Sequence, residues 1–224
     1  MILIAVIPAR GGSKRLPNKN VLEINGSPIL GLTIQSLLSS ECISEVFVTT
    51  DSKEIRDISL SFGAKVPFLR SAELSNDTTT TLPVIRDALD RLKIEEDQDV
   101  LVSYPTAMLS SFVIDQFTSS NFAHDGFLVT IGKLRPPPAR LLREISPSVF
   151  QMVDASALDE RTQDLPQGYF DAGKLYLARA STWRSSNNAL AHKFNGYLLN
   201  EQDSIDIDTL EDWEYFKKIK SVDL

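Results

Sequence analysis

Cysteine and histidine are scarce in this sequence. The single cysteine, Cys42, excludes an internal disulfide and a cysteine cluster for structural zinc, so a reducing cytoplasm is the expected compartment. The two histidines, His124 and His192, lie in neither a His-x-x-x-His pair nor a Gly-x-Ser-x-Gly context. Histidine–zinc chemistry and serine-hydrolase chemistry are therefore not expected.

Positive charge is also in short supply, and long apolar runs are missing. Lys and Arg number 23 against 30 Asp and Glu, which gives a formal net charge of −7. Proteins that bind nucleic acids or membrane surfaces through charge are normally basic, so we expect neither partner. The apolar residues 2–7 are too few for a signal or transmembrane segment and instead predict a buried strand.

The order of the apolar segments predicts an α/β protein. The 224 residues suit one domain over residues 1–224, in which short apolar runs alternate with segments of helical spacing. The predicted strands cover residues 2–7, 45–50, 65–68, 99–103, 126–131, 174–178 and 200–207. The predicted helices cover residues 27–38, 52–62, 78–92, 110–117 and 209–219. This alternation predicts a mostly parallel sheet with helices on both faces.

The alternation of strands and helices breaks near Lys133. Three consecutive prolines, Pro136 to Pro138, cannot continue a helix or a central strand. Residues 133–168 are therefore expected to leave the sheet as a small excursion, with a strand-like segment at 148–153. The chain is expected to return to the sheet from Asp171.

The loop after the first predicted strand is purely cationic, since no Asp or Glu precedes Glu23. Gly11 and Gly12 would let the backbone approach an anion closely, and the cations would neutralise a polyphosphate such as a nucleotide triphosphate. The spacing matches neither Gly-x-Gly-x-x-Gly nor Gly-x-x-x-x-Gly-Lys-Ser/Thr, so a solvated basic turn is the alternative. The cations of the loop are Arg10, Lys14, Arg15 and Lys19.

Two aspartates, Asp206 and Asp208, lie in a stretch without Lys or Arg that runs from Phe194 to Phe216. Residues two apart in an extended strand point the same way, so these carboxylates are candidates to share a hard cation such as Mg²⁺. The alternative is a charged strand end at which Asp208 or Thr209 caps the following helix.

The cationic loop resembles the signature loop of a known enzyme family. The run Pro8-Ala-Arg-Gly-Gly-Ser-Lys-Arg-Leu-Pro-Asn-Lys-Asn20 is similar to that of the cytidylyltransferases that activate nonulosonic acids, in which the loop wraps the phosphates of CTP. The resemblance implies a fold of the nucleotide-diphospho-sugar transferase type. It also implies phosphate contacts for Arg10, Ser13, Lys14 and Lys19, with Asn20 near the nucleotide.

Two further runs extend the resemblance on the nucleotide side. Residues 205–213, Ile-Asp-Ile-Asp-Thr-Leu-Glu-Asp-Trp, resemble the family segment whose two aspartates bind catalytic Mg²⁺, with Leu210 in place of the usual proline. Residues 66–77 resemble a second nucleotide-side segment and imply a role for Arg70 near the cytosine or ribose. Without the resemblance, Arg70 could equally be a surface arginine that opens a turn.

Three further runs resemble the family segments that bind the sugar acid. Arg161-Thr-Gln-Asp-Leu165, Asp171-Ala-Gly-Lys-Leu-Tyr176 and Tyr104-Pro-Thr-Ala-Met-Leu109 are more similar to pseudaminic acid cytidylyltransferases than to CMP-N-acetylneuraminate synthetases. Met108 stands where proline is common in both. An arginine fork suits a sugar carboxylate, and Arg161 is the candidate. The implied sugar-acid contacts are Tyr104, Arg161, Gln163 and Asp171.

The resemblance implies transfer of CMP from CTP to the anomeric hydroxyl of a nine-carbon sugar acid, with pyrophosphate as the second product. Lys19, Arg10 and Asp208 are the expected catalytic residues, with Mg²⁺ on Asp206 and Asp208. A homodimer is implied, in which residues 133–168 are exchanged between subunits. The alternatives are a CMP-N-acetylneuraminate or CMP-legionaminate synthetase, and a catalytically inactive nucleotide-binding relative.

Overall fold

The computed structural model describes residues 3–120 and 126–223. Ile2, the predicted start of the first strand, and His124 lie outside these residues. No helix within them combines the length and the apolar composition that crossing a membrane requires. The strands are β1 (Leu3–Pro8), β2 (Glu23–Ile24), β3 (Ser27–Pro28), β4 (Ile43–Thr49), β5 (Asp99–Ser103), β6 (Leu128–Lys133), β7 (Leu142–Ser146), β8 (Val149–Met152), β9 (Tyr169–Arg179) and β10 (Asn195–Leu198). The α-helices are α1 (Ile29–Leu38), α2 (Lys53–Ser61), α3 (Thr81–Arg91), α4 (Ser111–Thr118), α5 (Ala180–Ser185) and α6 (Leu210–Asp223).

The central sheet of the described chain has six strands in the order β10-β6-β9-β5-β1-β4. β4 and β5 flank β1 in parallel, and β10 runs parallel to β6. β9 is antiparallel to both of its neighbours, β5 and β6. The prediction of a mostly parallel α/β sheet is confirmed, with one antiparallel strand inside it.

Both faces of the sheet are covered because the side chains of each strand alternate. In β1, Leu3 and Ile7 enter a core shared with α1, α2 and α4, whereas Val6 enters a second core shared with α3 and α5. Burial of each large apolar side chain contributes about 1.5–3 kcal/mol, so the two cores together fix the helices on the sheet. The prediction of helices on both faces is confirmed.

The boundaries of α2 follow from its flanking residues. Ser52 caps the helix, since its hydroxyl accepts a hydrogen bond from the amide of Ile55 at 3.3 Å. Gly63 follows the helix with a φ of 93°, a left-handed conformation that glycine adopts without strain. The helix predicted over residues 52–62 is confirmed as α2.

Two predicted strands are wrong. Residues 65–68 contribute only isolated bridges, at Lys65 and at the adjoining Leu69. Residues 200–207 form turns and irregular backbone, because the side-chain oxygen of Asn200 accepts from the amide of Asp203 at 2.8 Å and folds the chain back. The final strand is β10, and Asp206 and Asp208 follow a turn rather than a strand.

The excursion contains a hairpin of its own. β7 and β8 pair with each other as a separate two-stranded hairpin, not with the central sheet. The strand-like segment predicted at 148–153 is therefore confirmed as β8. The hairpin and its flanks expose the large apolar side chains of Leu142, Ile145, Val149, Phe150 and Val153.

A tight loop follows β5 at residues 104–109. The hydroxyl of Thr33 in α1 donates to the carbonyl of Pro105 at 2.9 Å and accepts from the amide of Met108 at 3.1 Å. Met108 has a φ of 35°, in the left-handed region that residues other than glycine seldom adopt. The backbone here therefore excludes the proline that the resembled family commonly carries, because proline fixes φ near −65° and has no N–H.

A lysine is buried where the sheet meets α6. Lys174 of β9 is 0% exposed, and its ammonium donates to the carbonyl of Thr106 at 3.0 Å. The same ammonium lies 5.6 Å from the centre of the Phe216 ring. Burial lowers the pKa of Lys174 from 10.5 to about 8, although Asp206 opposes the change. Lys174 thus connects β9, the loop after β5 and α6 at one point.

We predict that Met108→Pro destabilises the fold by at least about 2 kcal/mol, because it removes a buried hydrogen bond and forces a large change in φ. Urea unfolding measures this loss. Met108→Leu, which keeps the amide and the approximate volume, should cost less than about 1.5 kcal/mol. Equal midpoints for Met108→Pro and the parent would contradict this account of the loop.

We predict a pH-dependent effect of Lys174→Met on stability. The folded state releases the Lys174 proton near pH 8 and the unfolded state near pH 10.5, so between these values the unfolded state binds more protons and the parent gains stability as pH rises. The free energy of unfolding of Lys174→Met, measured relative to that of the parent, should therefore be highest below pH 8. It should fall by roughly 3 kcal/mol by pH 10.5.

Urea unfolding at several pH values, without divalent cations, tests this prediction. Lys53→Met is the matched control, because it removes an exposed lysine at the start of α2. A Lys174→Met difference that stays constant over the same pH range would show that the buried ammonium is not the cause.

Candidate active site

A cavity of about 650 Å³ lies at the carboxyl ends of β1 and β5. In sheets with parallel strands, ligands bind at this edge because loops and helix starts converge there. The walls come from the loop after β1, the start of α3, the loop after β5, the first half of β9, and the segment that holds Asp206 and Asp208. Segments distant in the sequence therefore share one site.

Two cations of the loop pair with a carboxylate near α3. Arg10 donates to Asp77 at 2.8 Å, and Lys14 contacts the other oxygen of the same carboxylate. Hydrogen bonds from Lys14 and Arg10 lower the pKa of Asp77 below its usual value. Both cations are partly exposed, so these pairs contribute little stability each and leave the cations available to another anion.

The other two cations of the loop pair with Asp208. Arg15 contacts Oδ2 of Asp208 at 2.5 Å, and Lys19 contacts Oδ1 at 3.3 Å. Lys19 is the more buried of the two cations, with 20% of its side chain exposed against 74% for Arg15. Asp208 therefore faces the loop directly, and the two sequence motifs meet in space.

Hydrogen bonds between side chains and backbone groups hold the loop in place. The side-chain amide of Asn20 donates to the carbonyl of Arg10 at 2.9 Å and closes the loop. The amide of Gly11 donates to Asp51 at 3.1 Å, so it already has an acceptor within the chain. A Cβ on Gly11 would lie 3.0 Å from the Cβ of Ser52, whereas a Cβ on Gly12 would meet no described atom within 4 Å. Of the two glycines, Gly12 has the open approach that an anion needs.

Arg70 lines the cavity but is anchored below it. Its guanidinium donates to the carbonyl of Thr49 at 3.2 Å and to the hydroxyl of Ser75 at 3.0 Å, and lies 3.7 Å from Asp51. Burial lowers the pKa of Arg70, while Asp51 opposes that change. Arg70 is therefore a buried residue that fixes the wall, not the surface arginine of the alternative interpretation.

Two tyrosines and an aspartate form another part of the cavity wall. The Tyr176 hydroxyl donates to both oxygens of Asp171 at 2.6 Å, and the Tyr104 hydroxyl lies 2.5 Å from that of Thr81. The two tyrosine rings meet edge to face with centres 5.8 Å apart. Burial raises the pKa of both tyrosines, and Asp171 raises that of Tyr176 further, so both hydroxyls stay protonated.

Asp206 and Asp208 are the cavity residues whose chemistry suits a divalent cation. Both line the cavity, and carboxylate oxygens are the ligands that Mg²⁺ prefers. Gly173 leaves room beside Asp206, since a Cβ there would lie 3.9 Å from the carboxylate. Among the described residues no group of three or more His, Cys, Asp or Glu could hold a metal ion, so phosphate oxygens and water would complete the coordination.

The cavity unites most residues that the sequence predicted. Gly11 and Gly12 belong to the loop without lining the cavity, and Arg161 and Gln163, both within the described chain, lie exposed on the excursion and do not line it either. Sequence reasoning missed Asp77 and Tyr176 as members of the site, although both lie in runs that carry the resemblance. The predicted residues that line the cavity are Arg10, Ser13, Lys14, Lys19, Asn20, Arg70, Tyr104, Asp171, Asp206 and Asp208.

Comparisons with known proteins agree with this geometry. The chain is 30% identical to a pseudaminic acid cytidylyltransferase of Campylobacter jejuni over 98% of this chain and 96% of that protein. It is also 30% identical to a CMP-N,N'-diacetyllegionaminic acid synthase of Legionella pneumophila, again over 98% and 96% of the two chains.

A solved structure of CMP:2-keto-3-deoxy-manno-octonic acid synthetase complexed with CTP has a TM-score of 0.68 over all of both chains at 16% identity, which shows a shared fold. A family model described as cytidylyltransferase matches residues 4–219. The chain therefore belongs to the cytidylyltransferase family of nucleotidyltransferases, with the fold of the nucleotide-diphospho-sugar transferase type.

Proposed function

We propose that this cytidylyltransferase transfers CMP from CTP to the anomeric hydroxyl of a nonulosonic acid, and that pseudaminic acid is the preferred acid. The observation that carries the proposal is the cavity in which the cationic loop faces Asp208 and which Tyr104 and Asp171 also line. The printed names of the Campylobacter and Legionella relatives support an acid of this class. We also infer a cytoplasmic location, which the single cysteine supports.

In this proposal the loop binds the triphosphate. Arg10 and Lys14 would exchange Asp77 for phosphate oxygens, which accept stronger, charge-assisted hydrogen bonds. Ser13 lines the same cavity and would donate its hydroxyl to a phosphate. Asn20 would hold the loop closed around the nucleotide, as it already does through the carbonyl of Arg10.

Asp206 and Asp208 would hold Mg²⁺, which polarises the α-phosphate and lowers the pKa of the attacking hydroxyl. Arg15 contacts Oδ2 of Asp208, so occupation of that oxygen requires Arg15 to turn toward the phosphates. Lys19 is more buried and stays between Asp208 and the loop. These residues would then neutralise charge from opposite sides of one phosphate chain.

The reaction needs no covalent enzyme intermediate. The sugar hydroxyl loses its proton to water as its oxygen attacks the α-phosphorus, the bond to the bridging oxygen breaks, and pyrophosphate leaves with the displaced electron pair. Arg10 and Lys19 would stabilise the charge that develops on the leaving group. Catalysis would come from alignment and from preorganised charges in the cavity.

The proposal includes a homodimer, in which residues 133–168 reach the site of the partner. Arg161 and Gln163 are exposed on the excursion and lie outside the cavity of their own chain, so a second copy would have to bring them to the sugar carboxylate. The apolar side chains exposed on the β7–β8 hairpin support an interface there, because such patches are costly to leave in water.

The first test compares three acids in one assay. With CTP and Mg²⁺, we expect pyrophosphate release to be fastest with pseudaminic acid and slower with N,N'-diacetyllegionaminic and N-acetylneuraminic acids. The 30% identity to the legionaminic acid synthase makes that acid the second candidate. Faster turnover of either other acid would reassign the substrate, and no release with any acid would refute the proposed activity.

Asp208→Asn should lower turnover by at least about 100-fold, because it removes a charge that would bind the metal beside the reacting phosphate. Glu211→Gln is the matched control, since it removes one negative charge from the same segment without lining the cavity. Circular dichroism checks that both variants fold. Near-parental turnover of Asp208→Asn would remove Asp208 from the catalytic residues.

Light scattering at micromolar concentration tests the dimer. We expect the parent to be dimeric and Phe150→Glu to be monomeric, with lower turnover at saturating CTP because Arg161 no longer reaches the partner's cavity. Leu60→Glu changes another exposed apolar residue, on α2, and should leave both properties intact. A monomeric parent would contradict the proposed interface.

A further inference from the structure

A carboxylate of the protein lies where the proposed function places phosphate oxygens. Asp77, in the segment before α3, accepts a hydrogen bond from Arg10 at 2.8 Å and pairs with Lys14. The carbonyl of Asn76 accepts a second hydrogen bond from Arg10 at 3.3 Å. The three charged side chains all line the active-site cavity. A polyphosphate that binds Arg10 and Lys14 must therefore displace an acceptor that belongs to the chain itself.

The segment that carries Asp77 is firmly anchored. The side-chain oxygen of Asn76 accepts from the backbone amides of residues 78 and 79 at 2.9 and 2.8 Å, which fixes the turn around Asp77. One residue earlier, the hydroxyl of Ser75 accepts from the guanidinium of Arg70 at 3.0 Å. Arg70 is only 6% exposed, so this anchor is buried. The position of Asp77 is therefore set by the wall of the cavity and not by the cations that it pairs with.

The two cations, in contrast, have room to turn away from Asp77. The side chain of Lys14 is 79% exposed and that of Arg10 is 36% exposed, while the carboxylate between them is 44% exposed. Water screens ion pairs at such exposure, so each pair is weak. A phosphate group carries a charge of about −1.5 to −2 at pH 7, against −1 for a carboxylate. A chain of phosphates can therefore replace Asp77 as the partner of both cations.

We propose that Asp77 is an internal competitor for the polyphosphate, which limits how tightly the enzyme holds CTP and takes back Arg10 and Lys14 when pyrophosphate leaves; the inference rests on the proposed function. Without Asp77, two exposed cations would keep their hold on the pyrophosphate product. With Asp77, release of the product restores two ion pairs within the chain, so part of the lost attraction is recovered. Asp77 thus favours turnover at the expense of affinity.

The competition concerns only the phosphates that leave as pyrophosphate. The proposed function places Arg10 beside the leaving group, and Lys14 shares the carboxylate of Asp77 with Arg10. A nucleoside monophosphate lacks the leaving group, so it has no oxygen with which to displace Asp77. Loss of the Asp77 charge should therefore strengthen the binding of CTP and pyrophosphate and leave the binding of CMP unaltered.

Titration calorimetry without divalent cations tests the proposal with CTP, inorganic pyrophosphate and CMP as ligands. Asp77→Asn keeps an oxygen that can accept from Arg10 and removes the charge. It should lower the Kd for CTP and for pyrophosphate by about tenfold, because two weak ion pairs no longer oppose binding. The Kd for CMP should stay the same.

Glu73→Gln is the matched control for net charge. It removes one negative charge from the same segment, and Glu73 neither lines the cavity nor pairs with a cation among the described residues. All three Kd values should stay at those of the parent. A second comparison uses a Lys14→Met background, in which one of the two pairs is already missing. The effect of Asp77→Asn on the Kd for pyrophosphate should shrink there to about threefold.

The outcomes separate the two proposals. If the parent releases no pyrophosphate from CTP with any nonulosonic acid, the proposed function is wrong and this inference falls with it. If the parent is active and Asp77→Asn leaves the Kd for pyrophosphate unchanged, the inference alone is overturned. A higher Kd in Asp77→Asn overturns it equally, because Asp77 would then position the cations for the ligand. An effect of equal size on CMP, or in Glu73→Gln, would also overturn it.

Discussion

The attraction between one cationic loop and two aspartates arranges this site. Asp77 precedes α3 and Asp208 precedes α6, so the loop after β1 contacts the segments that lead into two different helices. Partly exposed ion pairs are weak, which lets the loop hold its shape and still exchange a carboxylate for a phosphate. An acidic protein can then bind an anionic nucleotide, because its few cations are concentrated at one strand end.

Local signals in the sequence predicted much of the fold and of the site. The apolar runs marked β1, β4 and β5 because buried parallel strands are continuously apolar. Phosphate contacts could be predicted for loop residues such as Lys14, because the residues that carry the resemblance there are consecutive in the sequence. The Asn25-Gly26 pair, with φ values of 50° and 78°, carries an equally local hairpin signal between β2 and β3 that could have been used.

Long-range contacts explain the rest. Arg10 and Asp77 are 67 positions apart, and no local pattern pairs them. The wrong strand at 200–207 arose because alternating apolar and polar residues suggest a strand, whereas Asn200 closes a turn through its own side chain. The burial of Lys174 could not be predicted either. Nothing in the sequence around this lysine indicates that its ammonium donates to the carbonyl of Thr106.

The antiparallel strand β9 joins the outer surface of the molecule to its chemistry. It leaves the excursion at Tyr169, passes Asp171 and Gly173 at the cavity, and reaches Tyr176, which lines the same cavity. The backbone of β9 is hydrogen-bonded to β5 on one side and to β6 on the other, which fixes its position in the sheet. One continuous strand therefore sets both the point at which the excursion ends and the spacing of three residues along the cavity wall.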